Sequence, residues 1–406
     1  MTPAEAARIM LEHVRPLPPV RVPLRAALDA VLAEDVISPI DLPPWDNSAM
    51  DGYALRSADL DAGTTDFAVI ETIPAGQFPS KPIGAHQATR IFTGAPLPQG
   101  ADTVIRQEDT EQPGNGRVLV RNPRDARKNV RRRGEDIKKG TVVLRAGAAL
   151  GPAPLGVLAS IARDTVSVHR TPRVAFMGSG EEIVDLDRKD EILAGTKIAT
   201  SNSYTLDAMI RRAGAQPVNL GVARDTKESL REHLRGAAGN DLLVTTAGVS
   251  VGEHDLVRDV LAELGGEMKL WRIAMRPGAP VGLGVIGGVP WIGLPGNPVS
   301  TMVTFELFVR PVIRRLEGHA LAFRRTVPVV LREPISLGPK LRHYLRAIVT
   351  EDGARLTGPQ GSGILTSMVL ANALLIIPAD RPDVPAGTEL DALLLDDPRH
   401  VAEPPY

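Results

Sequence analysis

The chain of 406 residues contains no cysteine. That excludes disulfides and thiolate metal sites, and it fits a reducing cytosol. Aromatic residues are scarce, at 3%, so there is little from which to build a base-stacking surface. An excess of charge of either sign is missing too. A formal net charge of -1 gives no whole-molecule attraction to nucleic acid or to an acidic membrane. No apolar run approaches the roughly 20 residues that span a bilayer. The opening stretch MTPAEAARIMLEHVRPL lacks the basic start and apolar centre of a signal peptide and reads as an amphipathic helix. These absences together predict a cytoplasmic protein with no nucleic-acid or membrane partner.

The chain has 43% hydrophobic and 23% charged residues, and its length suggests two to four domains with a substantial core. Glycine (38) and proline (35) are abundant, which implies many turns. Residues 1 to about 37 read as helical, with Pro16, Pro18 and Pro19 ending the first helix and Leu24 to Ala33 forming a second. The prolines of ISPIDLPPWDNSAMDGYALR forbid regular structure there. From about 53 to 145 the runs are short and alternating, as in strands, and QPGNG at 112–116 predicts a hairpin turn. From Arg173 strands alternate with helices, which predicts an α/β unit on a mostly parallel sheet. The block from about 321 onward again reads as short strands, a small barrel or sandwich.

Ligands of an open parallel sheet bind beyond the carboxyl ends of its strands. Four such ends are legible: Gly178-Ser179-Gly180-Glu181-Glu182, Arg224-Asp225, Thr246-Ala247-Gly248-Val249-Ser250 and Leu294-Pro295-Gly296-Asn297-Pro298-Val299-Ser300. The last opens a long helix, whose free N–H groups and dipole, with Ser300, make an anion site. Gly248 and Gly252 allow close backbone approach to a phosphate or pterin. Glu182, Asp225 and Asp255 offer oxygen ligands for Mg²⁺ beside such an anion. A plain strand-to-helix turn explains any one of these loops equally well. The charge run RNPRDARKNVRRRGEDIKKG (121–140) reads mostly as a solvated flank, and beyond that as an anion-recognition loop rather than a nucleic-acid stripe. His169 and His254 have no metal-ligand spacing and read as structural. No nucleophile elbow or P-loop occurs.

Six stretches occur in one order: DNSAMDGYALR, RIFTGAPLPQGADTVI, NVRRRGEDIKKG, TTAGVSVGEHD, LPGNPVS and GPQGSGILTSMVLANALLIIP. As a set they resemble the molybdopterin molybdenumtransferase (MoeA) family, which includes the E-domain of gephyrin. The resemblance covers nearly the whole chain. It implies a multidomain α/β plus β fold. A linker-like first domain would hold 1–40 and 141–170, an inserted β-rich second domain 41–140, a three-layer α/β molybdopterin-binding domain 171–318 and a C-terminal β-barrel 319–406. It implies a homodimer whose cleft joins the third and fourth domains of one subunit to the first two of the other. The implied reaction takes molybdate and adenylylated molybdopterin, inserts molybdenum at the dithiolene and releases AMP, assisted by Mg²⁺. The chain carries no second adenylylating domain, so a separate molybdopterin adenylyltransferase is an expected partner.

The resemblance also implies residue roles. Asp51 and Thr93 would be cleft residues of the second domain, with Arg131 and Asp136 in the Arg-Arg-Gly-Glu-Asp stretch. Glu182, Asp225 and Asp255 would hold the metal and face the nucleotide. Gly248, Ser250, Asn297 and Ser300 would cradle the pterin and its phosphate. Arg272, Arg276, Pro280, Arg346 and Ser362 would face molybdate, a tetrahedral dianion that wants cations and hydrogen-bond donors. Some positions depart from the family pattern. Arg276-Pro277-Gly278-Ala279-Pro280 stands where the family reads Lys-Pro-Gly-Lys-Pro, and Arg272 replaces a lysine. Ala247-Gly248 replaces Gly-Gly, and Gly180-Glu181-Glu182-Ile183 replaces Gly-Asp-Glu-Leu. The missing cation at Ala279 leaves two alternatives beside the insertase: a tungstate-tuned paralogue, or a pterin-binding scaffold without insertase activity.

Overall fold

The computed structural model describes residues 1–246, 249, 256–338 and 340–395. Helix α1 (Pro3–Glu12) starts at a capping box. The Thr2 side chain accepts from the Glu5 N–H at 3.3 Å, and the Glu5 carboxylate accepts from the Thr2 N–H at 2.8 Å. Strand β1 (Pro19–Pro23) follows, then a single 3-10 turn, Leu24–Ala26. The helix expected over 24–33 is absent. Asp29 sits at φ 63, and Val31 and Leu32 bridge to Ala149 and Val168 instead. Pairing with a distant segment overrides a leucine- and alanine-rich local preference.

The proline-rich stretch after it is not irregular throughout, contrary to expectation. Asn47–Ser48 pairs with Val130–Arg131, and Gly52–Leu55 is the first strand of a sheet. The prolines lie before these strands rather than in them. The sheet contains β2 (Gly52–Leu55), β3 (Asp66–Ile73), β4 (Gln87–Ile91), β5 (Thr103–Arg106), β6 (Thr110–Gly114) and β7 (Arg117–Val120) in the order β5-β2-β4-β3-β7-β6. The β6–β7 hairpin turns at Gly114, Asn115 and Gly116, all at positive φ. After it, α2 (Pro152–Ser160) and β8 (Thr165–His169) return to β1, and Leu32, Leu150, Leu158 and Val166 form a small core there.

The α/β unit follows in chain order: β9 (Arg173–Ser179), α3 (Ser201–Arg212), β10 (Gln216–Ala223), α4 (Lys227–Arg235), β11 (Leu242–Thr246), α5 (Leu256–Glu263), β12 (Glu267–Arg272), β13 (Met275–Arg276), β14 (Pro280–Ile286), β15 (Val289–Leu294), α6 (Pro298–Thr304), a π-helical turn (Phe305–Val309) and α7 (Arg310–Leu316). The sheet order is β10-β9-β11-β15-β14-β12. The first four strands are parallel, β14 runs antiparallel to β15, and β12 runs antiparallel to β14 and so in the direction of the first four. Alternation along β9 makes three layers. Val174 and Phe176 face a core shared with α3 and α6, while Ala175 and Met177 face α4 and α5.

The last unit holds β16 (Thr326–Val330), β17 (Arg342–Thr350), β18 (Gly353–Leu356), α8 (Thr366–Leu370), β19 (Ala373–Ile377) and β20 (Glu389–Leu394). Its sheet runs β13-β17-β19-β20-β16, with β18 on the free side of β17. Leu331, just past β16, bridges to Ala354 in β18, so the sheet closes on itself as a small barrel. Strand β13 belongs to this sheet although it lies between β12 and β14 in sequence. That exchange ties the barrel to the α/β unit. Among the described residues no helix is long and apolar enough to cross a membrane.

Candidate active site

A cavity of about 440 Å³ opens at the carboxyl ends of the parallel strands. Gly178 and Ser179 end β9, Thr246 ends β11, and Gly296, Asn297 and Pro298 form the turn after β15. The opposite wall is Ile198 to Asn202, the approach to α3. Asn202 joins the two walls by donating from Nδ2 to the Gly296 carbonyl at 2.7 Å. Its Oδ1 is buried without a partner among the described residues. Glu182 is the one charged side chain among the described lining residues. The cavity therefore suits a neutral ligand rich in hydrogen-bonding groups, with a cation or phosphate at the Glu182 side.

The carboxylates on that side come from two loops. Asp225 donates its N–H to Glu181 Oε1 at 3.2 Å, and Glu181 donates its N–H to Asp225 Oδ2 at 3.3 Å. This reciprocal pair locks the loop after β9 to the loop after β10. Glu182 folds back over Gly180, which sits at φ 144, where an added Cβ would meet the Glu182 carboxylate at 2.9 Å. The Glu182 carboxylate keeps no hydrogen-bond partner among the described residues. No group of three acidic or histidine side chains is gathered for a metal among those residues. Asp255, the third of the expected set, lies outside them, as do Gly248 and Ser250.

The cationic residues stand at the other end of the same edge. Arg272 pairs with Pro280 at the β12–β14 ends, and Gly282 pairs with Gly293, so Pro280 lies level with the turn after β15. Arg276 pairs with His343 of the barrel sheet. Both arginines are exposed. Gly278, at φ 94, presses its turn against α6, and an added Cβ would run into Thr304 Cγ2. The start of α6 is less open than its sequence suggests. Pro298 has no N–H, and Val299 donates to the Ser362 carbonyl at 3.1 Å. Ser300 is 3% exposed and is not among the described lining residues, whereas Asn297 lines the mouth and makes no cap bond with its side chain.

Arg346 explains how Ser362 is held. Its guanidinium is fully buried, with Nε donating to Ser367 Oγ at 3.0 Å and Nη2 to the Gly361 carbonyl at 3.0 Å. Nη1 has no partner. Burial pushes the pKa down from its ordinary value, since no carboxylate compensates for the lost solvation. The loop 360–363 thus reaches from this buried cation to the first turn of α6.

Chains of this build have known relatives. Family models match three stretches: the MoeA N-terminal region (domain I and II) over 1–162, a probable molybdopterin binding domain over 180–315, and the MoeA C-terminal region (domain IV) over 328–395. The molybdopterin molybdenumtransferase of Nostoc sp. is 36% identical over 391 residues, covering 92% of this chain and 88% of that protein. The chain belongs to the molybdopterin molybdenumtransferase family. It is therefore an enzyme of a transferase family of molybdenum cofactor biosynthesis. A second member, molybdopterin molybdenumtransferase 2 of Mycobacterium tuberculosis, is 37% identical over 401 residues, 95% of this chain and 97% of that one. Among solved structures, the molybdopterin biosynthesis MoeA protein of Pyrococcus horikoshii superposes with a TM-score of 0.85 at 28% identity, covering 97% of this chain and 99% of that one.

For a chain of this family, the remaining expected residues lie apart from the cavity. Asp51 and Thr93 come together on the second sheet, where Thr93 donates both its N–H and its hydroxyl to Asp51 Oδ1 at 2.8 Å. These bonds, with help from Arg90, hold the Asp51 carboxyl below its ordinary pKa. Arg131 pairs with Asn47 across two short strands, and Asp136 donates its N–H to the Leu42 carbonyl at 3.0 Å. Both are exposed. None of these four is among the described lining residues. Much of the charge run is neutralised by acids of other segments: Arg124, Arg127, Arg132 and Arg133 pair with Asp109, Asp61, Asp46 and Asp41. Sequence reasoning missed Asn202 and Arg90. The Ser-Asn-Ser start of α3 reads as simple capping, and an arginine inside a strand gives no local signal.

Proposed function

We propose that this chain is a molybdenum insertase, transferring molybdate into adenylylated molybdopterin with release of AMP to give molybdenum cofactor. The observation that carries the reading is the division of charge along one sheet edge. A hydrogen-bonding cavity with Glu182 in its lining lies between Asp225, just past β10, and Arg272 and Arg276, at and just past the end of β12. A pterin is a neutral heterocycle suited to such a cavity. Molybdate, as substrate, is a dianion suited to the cationic side, where Arg272 and Arg276 are exposed.

Glu182 and Asp225 would hold Mg²⁺ on the carboxylate side, where the phosphate end of the substrate would lie. The donors fit this ion: Glu182 and Asp225 are hard oxygen ligands, with Asp255 as the expected third. Mg²⁺ is commonly held by one or two carboxylates plus phosphate oxygens. When bound, it supplies neutralisation of phosphate charge. The chain's own part is positioning. The Glu181–Asp225 pair fixes the acidic loops, Asn202 fixes the turn after β15, and Asn297 stands at the cavity mouth. We take the working form as a homodimer in the cytoplasm, receiving its substrate from a separate molybdopterin adenylyltransferase. Asp51, Thr93, Arg131 and Asp136 then complete the cleft from the second subunit.

The test is reconstitution. Purified protein is given adenylylated molybdopterin, Mg²⁺ and molybdate, and AMP release is followed together with activation of a cofactor-free molybdoenzyme. Both should rise with molybdate. Binding of the pterin with no rise in either would overturn the insertase in favour of a pterin-binding scaffold. Ala279, where the resembled pattern has a lysine, takes a cation from the oxyanion side and favours that scaffold reading. A tungstate-tuned enzyme is told apart by a parallel titration in which tungstate saturates at lower concentration than molybdate.

A further inference from the structure

Most arginines on the second sheet and its loops are held by acids. Arg56, Arg106, Arg117, Arg121, Arg124, Arg127, Arg132 and Arg133 each have a carboxylate within ion-pair distance. Between residues 41 and 140, Arg90 and Arg131 have none among the described residues. Arg131 is exposed on a two-residue strand, whereas Arg90 is half-buried in the middle of the sheet. It lies opposite Tyr53, with its guanidinium 5.0 Å from the Tyr53 ring centre and 4.9 Å from that of Phe92. Both rings are adjacent in sequence to residues of the Asp51–Thr93 neighbourhood.

The donor directions of Arg90 give it a task. Nη1 donates to the Gly52 carbonyl at 3.0 Å, one residue after Asp51. Nη2 donates to Gln107 Oε1 at 2.6 Å, and Gln107 in turn donates its N–H to the Asp51 carbonyl at 3.0 Å. The guanidinium thus grips the main chain directly at Gly52 and holds the side chain of Gln107, whose own N–H is bonded to Asp51. Asp51 Oδ1 is taken by Thr93, and Oδ2 is left without a partner among the described residues. We propose that Arg90 is a positioning residue for Asp51, fixing the direction of the free carboxylate oxygen and keeping a positive charge beside it. Among the causes that lower the Asp51 pKa, the two Thr93 bonds come first and Arg90 is the one full charge. The inference rests on the reading that Asp51 faces substrate.

A purely structural arginine between two rings would act differently from one that works through Asp51, and a double-mutant cycle separates them. The measurement is kcat and KM for AMP release from adenylylated molybdopterin across pH, with Mg²⁺ and molybdate present. The proteins are wild type, D51N, R90Q, R90K and D51N/R90Q, all full length. We expect R90Q to lower kcat about tenfold with KM within about twofold. Its acid limb should move to higher pH, because an aspartate that loses a neighbouring positive charge protonates more readily. R90K should restore the acid limb but not kcat, since lysine keeps the charge and loses the two-pronged grip. In the D51N background, R90Q should change nothing further. An equal fall caused by R90Q in both backgrounds overturns the inference, as does an acid limb that stays in place. Full activity of D51N removes the Asp51 reading itself, and a wild type that releases no AMP removes the proposed function.

Discussion

Arg346 is the residue whose position asks most for an explanation. It is fully buried, and among the described residues it holds no carboxylate and leaves Nη1 without a partner. An isolated charge removed from water carries a penalty of several kcal/mol that an ion pair would offset. Its two bonds go to an exposed glycine carbonyl and to a serine that already donates to the Ile364 carbonyl at 2.6 Å. Neither bond is a strong reason to keep a cation there for stability. We expect Arg346→Met to unfold in denaturant within about 1 kcal/mol of wild type. Molybdate-dependent turnover should fall at least about 100-fold, the scale of losing one donor to a charged reacting group. A stability loss of about 3 kcal/mol or more would mean that the guanidinium serves the barrel fold and not the oxyanion. In sequence, YLRA marks Arg346 as a candidate donor. Its burial was not legible, because that depends on the 360–367 loop folding over it. The Asp51–Thr93 pairing was suggested only by resemblance, since the two stand 42 positions apart.

Elements were read best where their period is long and their partners are local. The alternation of β9, α3, β10, α4 and β11 follows from the sequence pattern alone, and the β6–β7 hairpin from its Gly-Asn-Gly turn. The helix expected over 24–33 failed because Val31 and Leu32 bridge to Ala149 and Val168, far away in sequence. The start of α6 was read as an open anion site, yet its Val299 N–H is taken by a carbonyl from another unit. Such long-range bonds leave no periodic trace. The turn through Gly278 can be tested as an element. Its φ of 94 and its contact with Thr304 should make Gly278→Ala destabilising by about 1–3 kcal/mol in urea unfolding. Thr304→Ser removes Cγ2 but keeps the hydroxyl that donates to the Ser300 carbonyl at 2.7 Å. Combining the two should recover part of the loss, since the clash goes and the backbone strain stays. No recovery would show that strain alone sets the effect.

At the scale of the molecule, one core runs through several units. Ala6 and Met10 of α1 share it with Phe176 of β9, Phe308 of the π-helical turn, and Tyr344 and Leu374 of the barrel. This continuity fixes the barrel loop 360–363 against α6 and so fixes the cationic side relative to the cavity. The second sheet has its own two cores and takes no part in that one. Its acids therefore need another way to reach substrate, and a partner chain provides it in the homodimer proposed above. Co-expression of an Asp51→Asn chain with an Asp225→Asn chain tests this directly. If each cleft takes Asp51 from one subunit and Asp225 from the other, a mixed dimer holds one intact cleft and one carrying both substitutions. Random pairing makes half the dimers mixed, so activity should return to about a quarter of wild type, against near zero for either homodimer. If the cleft lies within one chain, every site in the mixture carries a substitution and no activity returns.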